Sequence, residues 1–242
     1  MKLRIVTHNA LRMEGLPELA GKMDVAEMLA RLYLELTPHV LCLQEVQSIR
    51  DAERLAGLLG MRFRFEPARI APKYGGAVFV SPKLPFGYEP ISSVRKASFE
   101  RICQLLEIWV GDSIVTICNL HLPSGVQHPE DGGQGVRMRE ISEVISLMPD
   151  VIVGDLNSLP ESPVYRKLQE SGYMDAAVEA GKGDVPTCTE RIDYVWINSQ
   201  AGLELADYTV IFRTEAISEE LVRSLSDHLP VSAALSIGGS KG

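Results

Sequence analysis

Short apolar runs rich in β-branched residues recur along the chain, and five of them stop abruptly at Asn, Glu, His or Asp. No other feature constrains the fold as much. A run of about four to eight such residues reads as a buried strand. A polar residue at its end is then presented at the sheet edge, where an open sheet can offer side chains to a cleft while its backbone stays bonded. The strands expected are Leu3–Thr7, Val40–Leu43, Ala77–Val80, Ile102–Val110, Ile114–Leu120, Val151–Val153, Ile192–Ile197, Tyr208–Phe212 and Val231–Ser236. Helical patterns lie between some of them. Leu19–Leu36 carries apolar residues at 25, 28, 29, 32 and 36 and stops before Pro38, and Asp51–Leu59 and Val136–Leu147 are also helical. Ser162-Pro163 opens a further helix to about Glu170, with Ser as N-cap and Pro in the first turn. Successive strands with tight turns, such as Val110-Gly111-Asp112-Ser113, imply antiparallel pairing. The mixture predicts an α/β (α+β) fold, two packed mixed sheets with helices on their outer faces.

The chain has 242 residues, 45% of them apolar, enough to bury a core in one domain over 1–237. The tail from Gly238 to Gly242 reads as disordered. A net charge of -8 argues against non-specific nucleic-acid binding over the whole surface, although a bound divalent metal would supply positive charge locally. Cys42, Cys103, Cys118 and Cys188 form no CxxC pair and suggest neither a zinc cluster nor a disulfide framework. No apolar stretch is long enough for a signal segment or a membrane span. A cytoplasmic monomer without membrane insertion is expected.

Five polar clusters carry the chemistry: Val6-Thr7-His8-Asn9, Leu43-Gln44-Glu45-Val46, Cys118-Asn119-Leu120-His121, Val153-Gly154-Asp155-Leu156-Asn157, and the pair Arg191-Ile192-Asp193-Tyr194 with Ser226-Asp227-His228-Leu229-Pro230. Asp155 and Asn157 are two apart, so in extended geometry an acceptor and a donor face one point. The alternative is a turn in which both side chains cap nearby backbone. Asp193 inside a strand needs a partner. With His228 as that partner, a carboxylate on one imidazole nitrogen would fix the tautomer and raise the basicity of the other. The alternative is an Arg191–Asp salt bridge and a surface His. Glu45 at a strand end suits a hard cation such as magnesium, which favours one or two carboxylates and phosphate oxygens. Taken singly, Glu45 reads as solvent-facing, His121 as hydrogen-bonded and Asn9 as a turn residue. Jointly, amides, carboxylates and histidines at strand ends, with no Cys among them, suit phosphoester hydrolysis. No G-x-S-x-G elbow, P-loop, GxGxxG or HExxH occurs.

These clusters, with GDLN, RIDYV and SDHLPV in that order, resemble the five motifs of the endonuclease/exonuclease/phosphatase superfamily from Asn9 to Pro230. The resemblance implies a four-layer α/β sandwich and a Mg2+-dependent phosphodiesterase or phosphatase, with Mn2+ an acceptable substitute. It implies that Glu45 binds the metal, that Asn9 positions metal or phosphate, and that Asp227 contacts metal or water. It further implies that His121 contacts the phosphate or leaving group. Asp155 would orient and deprotonate the attacking water, and Asn157 would support water and phosphate. Asp193 would orient His228, which stabilises the transition state of in-line attack. Ala10 and Leu11 after Asn9, and His121 in place of a Tyr, argue against abasic-site repair. Thr187-Cys188-Thr189-Glu190-Arg191 is closer to the sphingomyelinase-like and general phosphodiesterase branches than to the inositol phosphatases.

The substrate is left open between a small or lipid-derived phosphoester and a nucleic acid, and a binding-only member is disfavoured by the intact set. Arg62, Arg64, Arg69 and Lys73, and separately Arg95, Lys96 and Arg101, are basic stretches that contact phosphate backbone or are simply solvated. Tyr74-Gly75-Gly76 brings backbone close to substrate or forms a turn. Pro123–Gly135, Gly-rich and containing His128, Glu130 and Asp131, is a candidate lid beside His121.

Overall fold

Two six-stranded mixed sheets pack face to face between layers of helices in a computed structural model that describes residues 2–19, 21–94 and 99–238. Along the chain lie β1 (Lys2–Asn9), α1 (Val25–Leu36), β2 (Val40–Val46), α2 (Ile49–Leu59), β3 (Arg62–Glu66), β4 (Gly75–Val80), β5 (Phe86–Pro90) and α3 (Ile91–Val94). They are followed by β6 (Ile102–Val110), β7 (Ser113–His121), α4 (Gln134–Ser146), β8 (Val151–Asp155), α5 (Pro163–Glu170), β9 (Tyr173–Asp175) and α6 (Ala176–Glu179). β10 (Asp193–Asn198), β11 (Leu203–Val210), α7 (Glu219–Leu225) and β12 (Val231–Ile237) complete the fold. The first sheet runs β11-β12-β1-β2-β4-β3 and the second β5-β6-β7-β8-β10-β9. The four-layer sandwich is the fold expected. Arg95 and Lys96, and the tail over 239–242, lie outside the described residues. Gly238 is still tied down, its N–H bonded to Gly202 O.

Period-two alternation sorts the strands of the second sheet between two cores. Val151 and Val153 of β8, Val195 and Ile197 of β10, and Val115 and Ile117 of β7 join the core shared with the first sheet. Ile152, Tyr194, Trp196, Cys118 and Leu120 face the other way, toward Ile141 and Val144 of α4 and Val164 and Leu168 of α5. Continuing the alternation puts His121, Asp155 and Asp193 on the inner face, at the ends of their strands.

Several elements differ from expectation. α1 begins at Val25, capped by the Asp24 side chain accepting from Glu27 N, because Gly21 at φ +69° breaks the chain before it. Only a 3-10 turn forms at Pro17–Leu19. β11 ends at Val210 rather than reaching Phe212. β3, β5, β9, α3, α6 and α7 are additional, and the loop after β7 gives up Gln134 and Gly135 to α4. That loop is pinned rather than free. Arg137 Nη1 donates to Pro123 O at 2.9 Å, and His128 Nε2 lies 2.9 Å from Glu100 Oε2. Arg62 and Arg64 do share a face, and both guanidinium groups lie over the Phe86 ring, which is the solvated-face reading of that stretch.

Candidate active site

Strand register assembles the cluster. His121 of β7 pairs directly with Asp155 of β8, and Asp155 pairs directly with Asp193 of β10, so three neighbouring strands place the three side chains in one row. The first sheet adds Asn9, whose Nδ2 donates to Asp155 Oδ2 at 3.0 Å across the sandwich. Leu11 N donates to Asn9 Oδ1 at 3.2 Å, which fixes the amide in that orientation. His228 arrives from the loop before β12, its Nδ1 2.8 Å from Asp193 Oδ2 and its Nε2 3.9 Å from Asp155 Oδ2. His121 Nε2 lies 3.5 Å from the same Asp155 oxygen.

Two local distortions shape the strand ends. Gly154 sits at φ +132°, and a Cβ there would lie 1.9 Å from Leu120 O, so only Gly lets β7 and β8 approach this closely. Glu45 occupies a β-bulge between Gln44 and Val46 at φ +53°. The bulge takes it out of strand alternation and brings its carboxylate within electrostatic reach of Asp155 and Asp227. Asn157 departs from the extended geometry expected of it. The strand ends at Asp155, Asn157 turns left-handed at φ +45°, and its N–H donates to Asp155 Oδ1 at 2.8 Å. Its Nδ2 donates to Leu122 O at 2.9 Å. The turn and the cluster are therefore one object: the Asx-type turn holds the Asp155 carboxylate in place.

Burial pushes the Asp155 carboxyl above the ordinary carboxylate range, and Asp193 adds to this while His121 and His228 oppose it. Burial, then the charge of Asp155, pushes Glu45 up as well, with Asp227 adding a smaller repulsion. Burial alone would lower His228, but Asp193, by charge and by hydrogen bond, overrides it and with Asp155 pushes the imidazole up to about 11. His121 goes the other way, to about 4, because burial outweighs the attraction of Asp155. One histidine is thus a cation at neutral pH and the other is neutral.

Three supporting residues carried no role in the sequence reading. Thr187 Oγ1 donates to Asp193 Oδ2 at 2.7 Å and accepts from Asp193 N at 3.1 Å. Ser226 Oγ donates to Asn9 O at 2.7 Å and accepts from His228 N at 3.2 Å. His8, held neutral by burial, bridges Tyr33 Oη and His228 O. A Ser or Thr in a loop carries no sequence signal for these bonds. Arg191 pairs with Asp175 at 2.7 Å rather than with Asp193, which leaves Asp193 to His228.

A basic rim adjoins the cluster. The guanidinium groups of Arg101 and Arg12 lie 4.9 and 5.6 Å from the centre of the Tyr74 ring, and Lys73 Nζ lies at 5.5 Å. Arg101 is 8% exposed, its Nη1 is buried without a hydrogen-bond partner among the described residues, and its charge reaches His121. Leu11, Arg12 and Met13, all at positive φ, turn the chain sharply after Asn9. With Leu16, Pro17 and Asp227, the first two line a cleft of about 530 Å³ beside the cluster.

The donor set fits a hard divalent cation. Asp155 and, more weakly, Asp227 repel Glu45, no Lys or Arg among the described residues forms a salt bridge with the three, and Asn9 offers amide oxygen chemistry alongside.

The Endonuclease/Exonuclease/phosphatase family model matches residues 6–228. No curated protein sequence matches the chain significantly. Among solved structures, an endonuclease/exonuclease/phosphatase from Beutenbergia cavernae superposes with a TM-score of 0.75 at 19% identity, covering 99% of this chain and 72% of that one. The human Nocturnin catalytic domain with bound sulfate anion gives 0.69 at 18%, covering 97% and 94%. Humanized D. rerio TDP2 gives 0.73 at 16%, covering 97% and 99%. At these identities the structures speak for the fold alone, and the motif-bearing span from 6 to 228 speaks for descent: the chain belongs to the Endonuclease/Exonuclease/phosphatase family.

Proposed function

We propose that the protein is a divalent-cation-dependent phosphoester hydrolase that cleaves by in-line attack of water. The observation that carries this reading is the row His121–Asp155–Asp193, closed by His228 and joined to the first sheet through Asn9. Asp155, made more basic by burial, holds and deprotonates the attacking water, and Asn157 keeps its carboxylate aimed. His228, held as a cation by Asp193, donates to a phosphoryl oxygen and offsets the charge that grows there in the transition state. His121, neutral at working pH, contacts the phosphate or leaving group without adding charge. Glu45 and Asp227, with Asn9, would hold Mg2+ or Mn2+, which polarises the phosphoryl group when bound. Arg101, buried with an unused N–H, faces the anionic substrate from the other rim. The sulfate in human Nocturnin, like a phosphoryl group, is a tetrahedral oxyanion.

A diester or monoester with a small or lipid-derived leaving group is the favoured substrate, since the cleft beside Asp227 mixes Leu11, Leu16 and Pro17 with a single Arg12–Glu14 pair. A panel with Mg2+ or Mn2+ tests the reading, using bis-p-nitrophenyl phosphate, p-nitrophenyl phosphate, phospholipid head-group esters, and plasmid or single-stranded DNA. Metal-dependent turnover of an ester, abolished in Asp155→Ala and His228→Ala, is expected. Unchanged activity in both variants would sink the mechanism. Efficient DNA cleavage with a steep salt dependence would move the substrate to nucleic acid.

A further inference from the structure

One group of potential ligands shares Asp227 with the hard-oxygen set but adds a thiol and an imidazole. Cys188 Sγ, an Asp227 carboxylate oxygen and a ring nitrogen of His228 all lie within 4.8 Å of one another. Their loops are locked together, because Leu229 N donates to Thr187 O at 2.6 Å, immediately beside Cys188 and His228. Asp227 is exposed and Cys188 half-buried, so the group is reachable from solvent, whereas the His228 ring is only 7% exposed. Nδ1 of that ring belongs to Asp193, which leaves Nε2 with no hydrogen-bond partner among the described residues, its nearest carboxylate oxygen being 3.9 Å away.

We propose that Cys188, Asp227 and His228 form a second cation site, which takes a thiophilic divalent metal such as Zn2+ and inhibits the enzyme by taking His228 out of service. Thiolate, imidazole and carboxylate are the donors zinc selects, whereas magnesium avoids sulfur. Three protein ligands leave the fourth tetrahedral position to water. Asp193 on Nδ1 supplies the carboxylate–histidine–metal arrangement that orients a ligating imidazole. Binding releases the thiol proton and the Nε2 proton to solvent, with no change of redox state. A Zn2+ ion there occupies the nitrogen that would otherwise donate to a phosphoryl oxygen, and it shares Asp227 with the activating cation. The inhibition half of this proposal rests on the hydrolase reading above, and the binding half does not.

The test therefore has two arms, on the full chain. In the first, Zn2+ binding is measured by competition with a chromophoric chelator, and Co2+ is used as a spectroscopic probe. Wild type is expected to bind one Zn2+ and to show a sulfur-to-cobalt charge-transfer band in the near ultraviolet. Cys42, Cys103 and Cys118 are buried, so that band reports Cys188. Cys188→Ser and Cys188→Ala are expected to lose the band and at least tenfold in Zn2+ affinity while keeping the wild-type Tm. Equal affinity in the variants, or no band in wild type, overturns the site. In the second arm, Zn2+ is titrated against Mg2+-supported hydrolysis. Cys188→Ser should need at least tenfold more Zn2+ for half-inhibition, and equal sensitivity overturns the inhibitory role. If no ester is hydrolysed at all, the hydrolase reading fails while the first arm still decides the metal site.

Discussion

Two buried polar networks lie a few residues apart on the same strands, and they are built on opposite terms. In the first, Gln44 Nε2 donates to Asn119 Oδ1 at 2.7 Å and Thr7 Oγ1 at 3.0 Å. Asn119 Nδ2 donates to Gln104 Oε1 at 2.8 Å, and Gln104 Nε2 to Tyr88 Oη at 2.9 Å. Every member is neutral, and the network stitches the two sheets together mid-strand. In the second, two residues farther along β1 and β7, the members are Asn9, His121, Asp155, Asp193 and His228. That network is charged, and His121 Nδ1 and Asp193 Oδ1 are buried with no hydrogen-bond partner among the described residues, whereas in the neutral network Gln44 Oε1 alone is left so. Neutral polar groups paired with one another rigidify a core, and buried charges left partly unsatisfied carry a larger cost that a stability-driven design would avoid. The contrast separates polar burial that holds the sandwich together from polar burial held ready for a ligand.

Gly154 belongs to both, so its loss gives the largest effect. A Cβ at this position would lie 1.9 Å from Leu120 O and 3.2 Å from Gln44 Nε2. Gly154→Ala is expected to destabilise by about 4 kcal/mol or more, read by urea unfolding, with activity falling in step. Near-wild-type stability would show that β7 and β8 can part without harm, and the two networks would then not be rigidly coupled.

Asp155→Asn separates them. It preserves shape and an acceptor for one of the two donors, Asn9 Nδ2 and Asn157 N, which use different oxygens, and it removes the base and the charge that repels Glu45. Hydrolysis should fall about 10^3-fold while stability changes by no more than about 1 kcal/mol or rises. A stability loss matching that of a core variant would make the second network structural after all.

Asn119→Leu is the converse. It removes the side-chain partner of Gln104 Oε1 and Leu43 O and one of the acceptors of Gln44 Nε2, which keeps Thr7 Oγ1, and is expected to cost about 2–3 kcal/mol in chemical denaturation, with kcat within about threefold of wild type. A collapse of kcat without loss of stability would put Asn119 in the chemistry.

How much of this was legible beforehand differs between the networks for a physical reason. The alternation Val151, Val153, Asp155 is visible in the sequence, because a strand's faces follow directly from parity. That Asp193 needs a partner is visible too, but spacing left Arg191 and His228 both open, and only the motif resemblance favoured His228. The extended reading of Asn157 failed because its backbone turns left-handed, a conformation that Asn tolerates but does not announce. Glu45 was legible as a residue but not as a bulge, since positive φ at a Glu is imposed by the surrounding sheet rather than by its own preference. The edge strands β5 and β9 were missed because one contains Gly and Pro and the other is three residues long. Thr187, Ser226 and the Gln44–Asn119–Gln104 stitch depend on contacts between residues far apart in the chain, and no local pattern encodes those. Of the described basic residues singled out, Arg101 and Lys73 meet at Tyr74 on the rim, which spacing along the chain could not distinguish from the exposed Arg62 and Arg64.

The smallest effect, and the sharpest division, is in pH. The amides of the first network do not titrate, and burial pushes the Tyr88 hydroxyl up and away from this range, so the network's share of stability does not change between neutral and acid pH. The region around the second network contains His8 and His121, whose buried neutral rings are pushed down to about 3 and about 4. A histidine lowered in the folded state contributes stability that is fully present above the unfolded value of about 6.5 and is lost as pH falls toward the folded value. His228, raised to about 11, has the opposite sign: its contribution is complete below about 6.5 and declines as pH rises from there. Between pH 6.5 and 5.5 each lowered imidazole should therefore remove about 1 kcal/mol, while His228 changes little. His8→Gln should flatten the fall of stability with acid by about that amount over this interval, measured as unfolding free energy at the two pH values. Asn119→Leu should shift the whole curve down by a constant and leave its slope untouched. If the Asn119 variant changed the slope and the His8 variant did not, the proton-linked part of the fold would lie outside the second network, and the division between a neutral stitch and a charged site would have to be redrawn.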